Sequence, residues 1–231
     1  MNKYSSTIFI VLTLLVLSFS PAASSLNNKV QTFGCTIQSL PEETIRDIQN
    51  NYDNINSYSA VIENRLEGDR FDVDQEWQLS VQKPDKYRKT IIKINDQNLN
   101  PVVTTICNGN TYYTDETGTG RIVPEGEHVS CEALVAETFA VMEKLNLFDN
   151  TEMYESSAEL DGDSVKVTIR YINNPPKSKT IIWANKNSYL IEKVEYKTQQ
   201  LDDSVTTRTE FYKNVKLNEN FELDEFIIPA V

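Results

Sequence analysis

Apolar and polar residues alternate with a period of two over most of this chain, and in two stretches the period becomes helical. The clearest alternation is Glu76–Asp96. Trp77, Leu79 and Val81 alternate with Glu76, Gln78, Ser80 and Gln82, the pattern of a half-buried strand. Lys83-Pro84-Asp85-Lys86 is turn chemistry, because Pro84 has no N–H for a ladder and fixes its own φ. Tyr87–Ile94 then resumes a β-rich run. Upstream, Tyr58, Ala60, Ile62 and Leu66 share one parity of a strand over Tyr58–Glu67, and Gly68–Asp74 reads as an acidic hairpin connection. Downstream, Asp96–Pro101 reads as a turn, Val102–Cys107 as a strand, Asn108-Gly109-Asn110 as a hairpin turn, and Thr111–Thr114 and Arg121–Pro124 as short strands. The last third reads as an antiparallel meander. Its strands are Met153–Leu160, Val165–Tyr171, Thr180–Ala184, Tyr189–Leu201, Val205–Val215 and Phe226–Pro229, with Asp161-Gly162-Asp163 as one strong turn. Short strands with regular polar turns favour a sandwich, barrel or half-barrel.

The helical stretches are distinct from each other. Ser39-Leu40-Pro41-Glu42 is a helix start, with Ser39 as cap, and Ile45, Ile48, Tyr52 and Ile55 form one apolar stripe. Ser130 caps a second helix over Cys131–Phe148. There Val135, Phe139, Met142 and Leu145 form a stripe that Leu134, Val141 and Leu147 broaden. Core packing explains such breadth; so does a helix leaning over an apolar cavity.

Residues 1–25 have the layout of a secretory signal peptide: Lys3, an apolar run Ile8–Phe19, and small residues Ser20–Ser25. The run is short for a transmembrane helix, and an uncleaved anchor is the alternative. Either way the body is expected outside the cytoplasm. Residues 26–38 are polar and expected to be a flexible linker, leaving 39–231 as a single domain. Of three cysteines, Cys107 and Cys131 are the first pairing to expect, tying a strand end to a helix start. Cys35 paired with Cys131 is the alternative. Cys35 follows Phe33-Gly34 as a lipidated cysteine would, but a polar stretch separates it from the apolar run.

The net charge of −12 argues against nucleic acid, whose phosphates need a basic face. Enzyme signatures are scarce. His128 is the only histidine, in a loop with no zinc or nucleophile motif around it. No phosphate-cradling glycine motif occurs. Asp69, Asp72 and Asp74 lack the central Gly and terminal Glu of a calcium loop. We therefore expect no catalytic residue, metal or cofactor.

Four segments carry a family resemblance. Ile55-Asn56-Ser57-Tyr58-Ser59-Ala60 runs a helix directly into a strand. Leu79–Arg88 holds a strand, a Lys-Pro turn and an aromatic-Arg pair. Cys107-Asn108-Gly109-Asn110-Thr111-Tyr112-Tyr113 is a hairpin. Phe211–Asn218 followed by Phe226-Ile227-Ile228-Pro229 closes the chain. In this order and spacing they resemble the LolA/LolB-like family of lipoprotein carriers and lipoprotein-sensing regulators, over about residues 40–231. The resemblance implies an α+β fold in which a curved antiparallel sheet forms an incomplete (half) β-barrel with helices covering its concave face. It implies that the face holds a lipid or lipoprotein acyl chains, with Trp77, Leu79, Val81, Tyr87, Ile91, Phe139 and Met142 against the ligand. The same residues also suit plain core packing. Lys83 and Arg88 take the gating and turn positions. In the carrier branch the residue before that proline is commonly Arg, and Lys83 lacks the bidentate fork. The implied function is an extracytoplasmic, monomeric, non-catalytic carrier or chaperone. A sensory module binding a membrane-protein partner is the alternative.

Overall fold

The computed structural model describes residues 41–68, 71–116, 118–124, 126–145, 153–172, 177–199, 203–222 and 224–230. The signal segment, the 26–38 linker, Cys35, Ser39 and the end of the second expected helix, including Leu147 and Phe148, lie outside them. The elements are α1 (Pro41–Asp53), β1 (Ser57–Gly68), β2 (Phe71–Gln82), β3 (Lys86–Ile94), β4 (Gln97–Asn108), β5 (Thr111–Asp115), β6 (Arg121–Val123), α2 (Cys131–Glu143), β7 (Tyr154–Asp161), β8 (Ser164–Tyr171), β9 (Lys177–Asn185), β10 (Ile191–Gln199) and β11 (Val205–Leu217).

All eleven strands belong to one antiparallel sheet in the order β6-β5-β4-β3-β2-β1-β11-β10-β9-β8-β7. Two meanders, β1–β6 and β7–β11, are joined where the first strand pairs with the last, Ile62 opposite Tyr212. β6 and β7 are the two edges and do not pair, so the curved sheet is an incomplete barrel. Turn chemistry fixes the registers. Gly109 and Gly162 take positive φ between strands β4–β5 and β7–β8, where a Cβ would be strained.

Three expected boundaries differ. Gly68–Asp74 is not a loop: β1 and β2 pair as far as Gly68 opposite Phe71. Asp74 is tolerated in the strand because Arg65 opposite donates from Nε to its carboxylate at 2.9 Å. Asp96–Pro101 is not a turn either. The reversal is completed by Asn95 and Asp96 at positive φ, a conformation short polar side chains accept, and β4 starts at Gln97. Phe226–Pro229 is not a strand. Phe226 lies in a turn and the residues after it are irregular. Backbone carbonyls there accept from side chains, Glu225 O from Arg88 (3.0 Å) and Phe226 O from Asn108 (3.2 Å).

Both helices pack on one face of the sheet, called here the inner face. α1 covers β7 and β8 with Ile45, Ile48 and Tyr52, and Ile55 follows just after its end, not within the helix as expected; all four are buried in one cluster with Val165, Val167, Ile182 and Val194. The Ile191 N–H donates to the Tyr52 hydroxyl at 2.9 Å. α2 covers β2 and β3. Ser130 Oγ accepts from the Ala133 N–H at 3.2 Å, so Ser130 is its cap. Cys107 and Cys131 are disulfide-bonded with Cα atoms 5.4 Å apart, which fixes the start of α2 to the end of β4. Gln49 of α1 donates to the Leu145 carbonyl at 2.9 Å and holds the other end. No helix among the described residues is long and apolar enough to cross a membrane.

Candidate functional site

Between α2 and the inner face lies a cavity of about 610 Å³, within the usual range for small-molecule sites. Its floor follows from strand parity. Even-numbered positions of β1 (Tyr58, Ile62, Leu66), β10 (Tyr196, Thr198) and β11 (Thr206, Arg208, Glu210, Tyr212) face it, as do odd-numbered positions of β2 (Trp77, Leu79) and β3 (Tyr87, Lys89). The registers align them in rungs. Trp77 lies opposite Ile62, which lies opposite Tyr212; Lys89 lies opposite Leu79. The roof is α2, through Leu134, Glu137, Thr138, Ala140 and Val141, with Lys144 just beyond it.

Of the residues expected at a ligand, Trp77, Leu79 and Tyr87 line this cavity. Val81 and Phe139 do not line it. Both are buried core, and Tyr58 meets Phe139 edge-on with ring centroids 6.4 Å apart. Ile91 is half-buried against the same core, opposite Trp77. Met142 lies in α2, and its side chain is outside the described residues. Lys83 reaches the roof helix: its Nζ sits 4.5 Å from the Phe139 ring centroid. It therefore touches α2 as a point charge on an aromatic face, not as a hydrogen-bonding fork. Arg88 has no place in the cavity. Its parity is opposite to that of Tyr87 and Lys89, and it holds Glu225 instead. His128 stacks on Tyr112 with centroids 4.6 Å apart, away from the cavity. Among the described residues, no cluster of His, Cys, Asp and Glu is arranged for a metal.

The polar lining is more elaborate than an apolar face predicts. Arg208 donates to Glu210 and, from Nε, to Asn64 Oδ1 at 3.1 Å. The Tyr212 hydroxyl donates to the other Glu210 oxygen. Lys89 Nζ lies 3.9 Å from the Trp77 centroid, and Lys144 Nζ lies 4.2 Å from that of Tyr196. Burial pushes the phenols of Tyr58, Tyr87, Tyr196 and Tyr212 above their ordinary range, with nearby carboxylates adding to the effect. Burial pushes the ammonium groups of Lys89 and Lys144 the opposite way, below theirs. The lining combines apolar residues of the floor with tyrosine hydroxyls, a group of cations and one phenol–carboxylate pair, Tyr212 with Glu210.

No protein-family model matches the sequence, and no curated protein sequence is similar to it. The structure is similar to that of LprF from Mycobacterium bovis, with TM-score 0.50 at 9% identity over 83% of this chain and 97% of that one. It is also similar to the LolA superfamily protein NE2245 from Nitrosomonas europaea, with TM-score 0.39 at 10% identity over 81% and 97%. MucB in the MucA/MucB complex of Pseudomonas aeruginosa gives TM-score 0.44 at 7% identity over 82% and 61%. At these identities the likeness is one of fold alone.

Proposed function

We propose that this protein is an extracytoplasmic carrier or chaperone that shields a lipid or acyl moiety without covalent chemistry. One observation supports the reading above all others: the cavity between α2 and the inner face, floored by Tyr58, Ile62, Trp77 and Leu79. The strand side chains under α1 are buried core, whereas those under α2 line the cavity. An acyl chain in that space gains about 0.8 kcal/mol for each methylene removed from water. A handful of methylenes then offsets the cost of immobilising the ligand. The sequence resemblance to the LolA/LolB-like family and the expected export signal support a lipid-shielding role outside the cytoplasm.

Native mass spectrometry of the gently purified protein, followed by organic extraction, tests this. A stoichiometric lipid is expected, and it should be absent from Leu79→Glu, which places a carboxylate on the cavity floor. A ligand-free mass with no uptake of lipid from vesicles overturns the reading. The search would then turn to a membrane-protein partner as the binding target.

A further inference from the structure

The cations of the cavity are arranged in a way that shielding a hydrocarbon does not require. Lys89, Lys144 and Arg208 all line it, against two carboxylates, Glu137 and Glu210. Glu210 is already engaged by Arg208 and Tyr212, and Glu137, although it lines the cavity, is exposed to solvent. The lining thus has an excess of positive charge in a chain whose net charge is −12. Lys89 and Lys144 are both half-buried, and neither takes part in an ion pair among the described residues. Each rests on an aromatic face instead, Trp77 and Tyr196 respectively. An aromatic face offsets only part of the cost of taking an ammonium out of water, whereas an oxyanion offsets far more. Burial lowers the proton affinity of both lysines and outweighs the opposing effect of Glu210 on each and of Glu137 on Lys89.

We infer that the cavity selects its amphiphile by an anionic head group, carboxylate or phosphate, held between Lys89 and Lys144 while the hydrocarbon lies over Trp77, Leu79 and Ile62. This deepens the lipid-shielding reading and rests on it. Arg208 is the less available cation, because its charge is already paired with Glu210 and two of its donors are taken by Glu210 and Asn64. The two lysines approach from opposite walls, Lys89 from β3 and Lys144 from the end of α2, so a bound head group would bridge sheet and helix.

The test uses the full exported chain, stripped of lipid, and three ligands with one alkyl chain: myristate, myristyl phosphate and myristyl alcohol. Each is titrated by native mass spectrometry. Both anions are expected to bind about tenfold tighter than the alcohol, the scale of one charge-assisted hydrogen bond. Lys89→Gln combined with Lys144→Gln should erase that preference, read as the ratio of anion to alcohol affinity, with far-UV circular dichroism reporting an intact fold. The double Lys→Arg variant should retain the preference. The tighter of the two anions tells a fatty carboxylate from a lipid phosphate as the source. Equal affinity for all three, or a preference that survives the double Gln variant, overturns the head-group assignment and leaves the lipid cavity standing. Failure of all three to bind overturns both.

Discussion

α1 and α2 are both 13-residue helices on the inner face of one sheet, yet they solve different problems. α1 is polar except for a single stripe, and that stripe is dry. Ile45, Ile48 and Tyr52 are buried in one core cluster with branched side chains of β8, β9 and β10. α2 is apolar over much of its circumference, and only part of that surface meets the sheet. Val135 and Phe139 are packed in the core, while Leu134, Thr138 and Ala140 face the cavity. A helix whose apolar stripe is no wider than its contact is a strut. A helix whose apolar surface exceeds its contact is a wall with something to cover. The strand residues beneath agree: aliphatic under α1, tyrosine, tryptophan and lysine under α2.

The largest expected effect lies in the tyrosines. Four, Tyr58, Tyr87, Tyr196 and Tyr212, line the cavity, and one, Tyr52, belongs to the dry half. Burial raises all five phenols in the folded state, Tyr52 to about 12. Their stabilising contribution is complete below the unfolded pKa of 10.0, and it is lost as pH rises from there through the folded values. Each phenol held protonated in the fold then loses about 1.4 kcal/mol per pH unit, because the unfolded chain releases its proton first. Lys89, Lys144 and Lys179, lowered by burial, act in the opposite direction below 10.5, whereas Tyr113, Lys93 and Lys166 are raised and act with the five phenols. Denaturant midpoints should therefore fall steeply between pH 10 and pH 12. A flat profile there would mean that the tyrosines are solvated and the cavity half has no buried floor.

Packing separates the halves next. Ile48→Ala, in the dry half, should cost about 2–5 kcal/mol of unfolding free energy and leave lipid uptake per folded molecule unchanged. Loss of uptake without loss of stability would erase the distinction between strut and wall. A somewhat smaller effect is expected from Cys131→Ser. The disulfide closes a loop of sequence separation 24, and its removal should cost about 3 kcal/mol. Because it fixes α2 and not α1, hydrogen exchange should quicken in α2 first; uniform quickening of both helices would argue against their independence.

Much of this was legible in the pattern of side chains. Alternation located the hairpin of β2 and β3 and placed Trp77, Leu79 and Val81 on one face, of which Trp77 and Leu79 line the cavity. It failed where local preference was outvoted across strands. Asp72 and Asp74 look like loop residues until Arg65 is seen opposite Asp74. Phe226–Pro229 has β-rich composition, yet side chains of Arg88 and Asn108 hold the chain there in an irregular path. The other half of the cavity depends on β1 pairing with β11, which sets Ile62 beside Tyr212. No local pattern encodes a pairing over so long a separation, so Tyr196, Arg208, Glu210 and Tyr212 could not be assigned to the site. Lys89 could have been, since it shares the parity of Tyr87, but an apolar-face criterion discounts a charge.

The anchoring of α2 has a mechanical consequence. A disulfide holds one end of this helix and the Gln49 side chain the other, so it behaves as a beam clamped at both supports. Such a beam bows; it does not swing open like a door. Cargo would then pass through a gap that widens only as far as the beam flexes, and its residence time would be governed by that stiffness. Because one clamp is a disulfide, the stiffness depends on the thiol–disulfide balance of the surroundings: long retention where conditions are oxidising, faster turnover where the bond is reduced.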